Sequence, residues 1–176
     1  MNKADLVEKA RATGFQYEKD YQNCCQSTIA AIQDTLGIRD DAVFKAGSGM
    51  AGGVGIHCDG VCGGYSGGVM VLSQLFGRNR ENFRDTEALM PSFELASVLH
   101  EKYIQEYDSI ICSDIHQKLF GRTFDLWEED DFAAIEDLGA HIDKCTGVVG
   151  TAASWTVEII LDEIEKRAES LEEYQK

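Results

Sequence analysis

Apolar residues recur along most of the chain at the three- and four-residue spacing of amphipathic helices. The segment from Asn23 to Leu36 shows this most clearly, because Asn23 is a candidate N-cap and Gly37 follows the last apolar position. The same spacing predicts further helices, which cover residues 3–13, 40–45, 60–76, a stretch from 91, 112–120, a stretch from 132, and a long segment from about 146 to the C terminus. No segment alternates as a strand does, although residues 109–111 fit a brief extended turn, and there is no internal repeat. The pattern therefore predicts a single all-α domain, residues 1–176, folded as a compact helical bundle.

A glycine-rich segment, residues 47–68, leads into the helix predicted at 60–76 and carries 10 of the 17 glycines. It lacks the Lys–Ser/Thr pair of a phosphate-binding loop, and no hydrophobic strand precedes it, which argues against nucleotide binding. Five glycines give the helix an almost bare face: Gly60, Gly63, Gly64, Gly67 and Gly68. Each helical Gly costs roughly 1 kcal/mol relative to Ala, so this face must permit a close approach. The sequence predicts that the glycine-rich loop opens a central helix, and it leaves open whether a neighbouring helix or a cofactor lies against the bare face.

The charge of the chain is strongly one-sided. Against 16 Lys and Arg residues stand 31 Asp and Glu residues, which gives a formal net charge of −15. An acidic surface repels phosphates, so nucleic acid and anionic lipid are excluded as main partners. Much of the excess negative charge lies in residues 125–137 and 158–173. The main interpretation is solvent-facing helix surface, and the alternative is a docking patch for a redox partner.

The N-terminal residues are charged, and the longest nearly apolar run, 67–76, is about half a membrane span. We therefore expect a cytoplasmic protein with no membrane partner.

Six cysteines are many for a chain of 176 residues. In a reducing cytosol such cysteines usually bind metals or carry redox chemistry, and structural disulfides are uncommon. Cys24, Cys62 and Cys145 fall where helices are predicted to begin, and the N–H groups at a helix start stabilise thiolates and lower the pKa of the thiol. Three such positions indicate convergence on one anionic object, either a cluster held by thiolates or a reactive thiol pair.

The order of the cysteine motifs resembles a known family. Asn23-Cys24-Cys25-Gln26 comes first, followed by the glycine-rich segment, by Cys62-Gly63-Gly64-Tyr65-Ser66-Gly67, and then by Cys112 and Cys145. Over residues 20–165 this resembles the C_GCAxxG_C_C family of redox-active proteins, defined by four cysteines and a Cys-Gly-Ala-x-x-Gly motif, with Gly64 here in place of the Ala. A related domain of split-Soret cytochromes is associated with an iron–sulfur centre.

The resemblance implies a site and a function. The matching metal ligands are Cys24, Cys62, Cys112 and Cys145, the right number for a [2Fe–2S] or [4Fe–4S] cluster. The bare glycine face, Gly60, Gly63, Gly64 and Gly67, would then bind this cofactor. We expect electron transfer to a redox partner protein, or chemistry on a small-molecule substrate at this face, in a chain that is a candidate homo-oligomer.

Three alternatives stay open. A four-thiolate zinc site would use the same ligands, although zinc usually draws them in closely spaced pairs, and only Cys58 and Cys62 form such a pair. A thiol–disulfide protein would use Cys58 with Cys62, or Cys24 with Cys25. The third alternative is a helical interaction module with buried cysteines.

Cys25 lies on the apolar stripe of its helix, which favours a structural role, and the family motif does not account for Cys58. His57 adjoins Cys58 and is a candidate substitute ligand, whereas His100, His116 and His141 have no motif around them and are interpreted as structural.

Overall fold

Eight α-helices account for the fold of residues 1–175, the part of the chain that this computed structural model describes. In chain order they are α1 (Lys3–Tyr21), α2 (Cys24–Leu36), α3 (Asp41–Ala46), α4 (Gly63–Phe76), α5 (Met90–Tyr107), α6 (Cys112–Phe120), α7 (Glu129–Asp137) and α8 (Cys145–Arg167). Short 3₁₀ turns join some of them, and a π-helical turn, Ala140–Lys144, precedes α8. No strand forms within these residues, so the all-α prediction is confirmed.

Helix α2 has the boundaries that the sequence predicts. The Asn23 side chain accepts a hydrogen bond from the Gln26 N–H at 3.0 Å, which caps the first turn. At the other end Gly37 has a φ of +72°, a conformation that Gly adopts without strain. The cap and the C-terminal Gly therefore fix where this helix, and with it Cys24, begins.

Helix α1 is longer than predicted, because its buried face is made of residues that a hydrophobic pattern does not register. Ala10, Gly14 and Glu18 are its buried positions, one turn apart. A Cβ on Gly14 would lie 3.1 Å from the Ala153 Cβ and 3.2 Å from the Gly150 Cα, so α1 and α8 are in close backbone contact. This pairing carries α1 on to Tyr21, past the predicted end at residue 13.

Three other predicted boundaries are wrong, and one of them is the start of α7, which begins at Glu129 rather than at residue 132. Helix α4 begins at Gly63 rather than at Gly60, with Cys62 as its N-cap, because Gly60 and Cys62 bond to the segment before α6. The Cys62 N–H donates to the Ile110 carbonyl at 2.8 Å, and the Cys112 N–H donates to the Gly60 carbonyl at 2.9 Å. Helix α8 ends at Arg167 rather than at the C terminus, since Ala168 adopts a left-handed conformation with a φ of +56°.

The helices pack around α4 and α8. Helix α4 contacts α2, α5 and α8, and α8 also packs along α1 and α2, which confirms α4 as a central helix. The main core draws on these helices, with Ile29, Ile32, Leu72, Leu99, Val157 and Ile160 fully buried. A smaller apolar cluster around Phe124, Ile135 and Ala140 lies beside it. Among the described residues, no helix combines the length and the apolar character needed to cross a membrane.

Candidate functional site

Four cysteines lie at the starts of four helices and line one cavity. Cys24, Cys112 and Cys145 are the first residues of α2, α6 and α8, and Cys62 is the N-cap of α4. The cavity that they line has a volume of about 100 Å³, which corresponds to about three water molecules at the volume of the liquid. All six cysteines of the chain are free thiols. The structure thus brings the four sequence-predicted ligands to one place, and it adds Cys112 to the cysteines found at helix starts.

Close backbone contacts bring these helix starts together. The Gly52 N–H points at the Cys24 sulfur, 3.4 Å away. A Cβ on Gly63 would overlap the Cys24 Sγ and would lie 2.8 Å from the Cys25 nitrogen. The first turns of α2 and α4 can therefore meet at Cys24 because residue 63 has no side chain.

The bare glycine face of α4 is filled by neighbouring helices. A Cβ on Gly64 would lie 2.7 Å from the Tyr103 hydroxyl, and one on Gly67 would lie 2.7 Å from the Cys25 carbonyl oxygen. A Cβ on Gly60 would lie 2.6 Å from the Gly53 carbonyl oxygen, within the glycine-rich loop. The cavity lining among residues 1–175 contains none of the four glycines predicted to bind the cofactor, Gly60, Gly63, Gly64 and Gly67. The sequence left open whether a neighbouring helix or a cofactor lies against the glycine face. The placement of these glycines matches the first of these, close packing of the backbone against neighbouring segments.

One wall of the cavity carries charged groups that the sequence did not single out. Glu18 is 2% exposed, and one of its carboxylate oxygens has no hydrogen-bond partner among the described residues. His141 lies between two carboxylates, with its Nδ1 2.5 Å from Glu136 and its Nε2 3.6 Å from Glu18. Burial disfavours the charged imidazole, but the two carboxylates outweigh it and raise the pKa of His141. The only feature of the sequence that indicates burial of Glu18 is its spacing of one helical turn from Gly14 and two from Ala10, on the same face of α1.

The remaining walls are mainly apolar, which keeps the thiols in a medium that disfavours charge. They include Ile56, Ile115, Leu126, Ile135 and Val148. Burial is the largest influence on three of the four thiols, and it raises the pKa of Cys24, Cys62 and Cys145. The expected stabilisation of a thiolate at a helix start is present at Cys62, where the Tyr65 and Gly64 N–H groups oppose the rise in pKa without cancelling it. A metal that binds these sulfurs would therefore displace protons from neutral thiols.

A fifth cysteine and a histidine lie beside Cys112. The ligand atoms of Cys58, Cys112 and His116 all lie within 4.8 Å of one another, and all three residues are buried. The interaction between the Cys112 and Cys58 thiols lowers the pKa of Cys58 and raises that of Cys112. Sequence interpretation treated His116 as structural. Its spacing four residues after Cys112, one helical turn, is the signal that indicates the contact.

The sequence-predicted thiol pairs differ from the contacts observed. The sulfur of Cys58 lies within 4.8 Å of that of Cys112, a contact that the sequence did not predict. Cys25 is fully buried in the core, with its sulfur 3.7 Å from the Ser66 hydroxyl, so it takes the structural position expected for it. His57 is exposed and packs against Trp127, with 5.9 Å between the ring centroids.

An all-helical protein with four buried or half-buried thiols on one cavity is a candidate metal or redox protein. The family model described as "Putative redox-active protein (C_GCAxxG_C_C)" matches residues 22–159, most of the chain, and the protein belongs to this family. No curated protein and no solved structure matches the chain.

Proposed function

We propose that the protein is an electron-transfer protein that holds a [2Fe–2S] or [4Fe–4S] cluster through Cys24, Cys62, Cys112 and Cys145. The observation that carries the proposal is the meeting of these four thiols, each from a different helix start, on one cavity. Four thiolates are the usual ligand set of both cluster types. Membership of a redox-active family supports redox chemistry in general.

The four sulfurs do not have the close spacing of a preformed site for a single zinc ion. A tetrahedral zinc ion with sulfur ligands at about 2.3 Å holds them about 3.8 Å apart. Within residues 1–175, no three of these four sulfurs lie within 4.8 Å of one another. A cluster with several metal ions holds its thiolates further apart than a single zinc ion does.

Backbone N–H groups beside two of the sulfurs would offset part of the cost of negative charge in this mainly apolar cavity. The Gly52 N–H faces the Cys24 sulfur, and the Gly64 and Tyr65 N–H groups face that of Cys62. Such hydrogen bonds stabilise charge on sulfur and adjust the reduction potential of a cluster. The cluster itself would supply one-electron exchange. Cys62 and Cys112 are buried whereas Cys24 and Cys145 are half-buried, so we expect a redox partner to approach from the Cys24 and Cys145 side.

Anaerobic purification and cluster reconstitution, followed by visible absorption and by iron and sulfide analysis, test this proposal. We expect a coloured protein that contains both elements. Cys62→Ser should lose the chromophore, and Cys25→Ser is the matched control, because Cys25 lies in the core beside Ser66. A colourless, iron-free protein after reconstitution would contradict the cluster, and equal loss in both variants would contradict the assignment of ligands.

Thiol–disulfide exchange is the second candidate, favoured by the contact between Cys58 and Cys112. These two thiols would form a disulfide, release two protons and pass two electrons to an oxidant such as another disulfide. Thiol counting on the iron-free protein after treatment with oxidised glutathione tests it. We expect the loss of two thiols in the wild type and no loss in Cys58→Ser if exchange is the function.

A further inference from the structure

Cys58, Cys112 and His116 form the most compact set of metal-binding side chains in the part of the chain that the structure describes. Their ligand atoms lie within 4.8 Å of one another, and no other three His, Cys, Asp or Glu residues there meet this condition. The three residues are 2%, 6% and 4% exposed, in that order. Two of them, Cys58 and His116, lie outside the four-cysteine set, so this group calls for an explanation of its own.

The fold holds the three donors in place before any ligand arrives. Cys112 and His116 lie one turn apart on α6, on the same face of the helix. The Cys58 N–H donates to the Gly52 carbonyl at 2.9 Å, and the Ser113 N–H donates to the Cys58 carbonyl at 2.8 Å. Cys58 also has a φ of +62°, which a side chain other than that of Gly adopts only at a cost in energy. The loop thus directs a cysteine at the first turn of α6 despite this strain.

Only one of the two ring nitrogens of the buried His116 has a hydrogen-bond partner among the described residues. Its Nδ1 is buried and has no hydrogen-bond partner among the described residues. Its Nε2 lies 3.6 Å from the Cys112 sulfur. With Zn–S near 2.3 Å and Zn–N near 2.0–2.1 Å, a tetrahedral zinc site places sulfur and nitrogen about 3.6 Å apart. The Cys112–His116 pair therefore already has the spacing of two ligands on one metal ion.

We propose that Cys58, Cys112 and His116 bind one divalent ion of the zinc class, at a subsite that adjoins the four-cysteine site and shares Cys112 with it. Two thiolates and a neutral imidazole balance the charge of a divalent ion, as a buried site requires. Thiolate and imidazole are also the ligands that zinc prefers. Three protein ligands leave a fourth coordination position, which is typical of catalytic zinc sites. Because Cys112 and His116 line the cavity, a water molecule or a small anion from the cavity would take that position.

Cys112 belongs to both donor sets, so the experiment uses residues that belong to only one. The full-length, iron-free protein is titrated with Co²⁺ under anaerobic, reducing conditions, and the thiolate-to-cobalt and visible absorption bands report ligand type and geometry. We expect one Co²⁺ bound in a tetrahedral site with thiolate ligands. Cys58→Ser and His116→Gln should each weaken Co²⁺ binding by about 100-fold or more, because each removes a direct ligand. Cys25→Ser and His100→Gln lie outside both donor sets and should leave binding unchanged, whereas Cys24→Ser removes a ligand of the four-cysteine set alone and so distinguishes the two sets.

Failure of this proposal differs from failure of the proposed function. Unchanged Co²⁺ spectra and affinity in both Cys58→Ser and His116→Gln would overturn the subsite, and so would the absence of Co²⁺ binding by the wild type. Loss of the Co²⁺ bands in Cys24→Ser would also overturn it, by placing the ion on the four-cysteine set. Iron–sulfur reconstitution of Cys58→Ser tests the proposed function by itself, since Cys58 is no cluster ligand in that proposal. Circular dichroism of each variant checks that it is folded, and the two independent ligand variants keep the test decisive if one of them unfolds.

Discussion

Gly63 shows how the site depends on the absence of a side chain. A Cβ there would overlap the Cys24 sulfur and lie 2.8 Å from the Cys25 nitrogen. Backbone atoms cannot turn aside as a flexible side chain can, so Gly63→Ala must push apart the first turns of α2 and α4. We expect a loss of about 1–3 kcal/mol in the free energy of unfolding, measured by urea denaturation. We also expect poorer cluster reconstitution, because Cys24 moves.

Gly147 provides the matched control for Gly63→Ala. It lies in the first turn of α8, two residues after Cys145, and an added Cβ would have no atom within 4 Å. Gly147→Ala should therefore leave reconstitution unchanged and stabilise the protein by up to about 1 kcal/mol, the gain in helix propensity. Equal destabilisation by both substitutions would show that crowding at Cys24 is not the cause.

At the scale of single residues, the sequence identified the cysteines but not the polar groups around them. The four cysteines could be found because their order and their glycine context resemble a family motif. Glu18, Glu136 and His141 could not, because polar residues on helices are usually solvated, and only the packing of α1 against α8 buries Glu18. His116 had a usable signal, the one-turn spacing from Cys112, but Cys58 joins them only through the folded loop.

At the scale of elements, helix boundaries were predicted well where local chemistry sets them. Asn23 and Gly37 cap α2 through their own side chain and backbone, so the sequence alone contains that information. The start of α4 depends instead on two hydrogen bonds to a distant segment, from the Cys62 N–H to the Ile110 carbonyl and from the Cys112 N–H to the Gly60 carbonyl, which no local pattern reveals. The length of α1 depends on small residues that pack closely against α8, and these have no hydrophobic signature.

The contact between α1 and the π-helical turn before α8 gives a prediction for pH dependence. His141 links the two elements through Glu18 and Glu136. Burial opposes the charge, but the carboxylates prevail and the pKa of His141 is raised. A raised pKa in the folded state stabilises the fold fully below the unfolded value of about 6.5, and this contribution is lost as the pH rises through the folded value. His141→Gln should therefore cost about 1–3 kcal/mol near pH 6, and less as the pH rises to about 9.

Urea denaturation of the wild type and His141→Gln at several pH values measures this difference. His57→Gln is the control, because His57 is exposed and lies in the glycine-rich loop instead. The prediction concerns the difference between the two proteins, so the titration of the carboxylates that do not contact His141 cancels. A difference that grows with increasing pH would contradict the ion-pair explanation.

At the scale of the whole molecule, the fold brings distant parts of the chain to one point. The four cysteines span residues 24 to 145, and each stands at the start of a different helix. The net charge of −15 repels within the folded chain and opposes this convergence at low ionic strength. Any ligand that ties the four helix starts together would therefore stabilise the whole bundle rather than a single loop.

Removal of the metal should accordingly lower the thermal stability of the entire protein. A ligand that binds only the folded state at 100 times its Kd adds about 2.7 kcal/mol. At about 2–4 °C per kcal/mol for a domain of this size, the reconstituted protein should unfold roughly 5–10 °C above the iron-free protein. Circular dichroism at increasing temperature, under anaerobic conditions, measures the Tm of both forms.

Cys145→Ser should abolish the difference in Tm, since α8 packs against α1, α2, α4 and α5 and would lose its link to the site. Cys25→Ser should retain the difference, and identical Tm values for the loaded and iron-free wild type would mean that the four helix starts are held together without the metal.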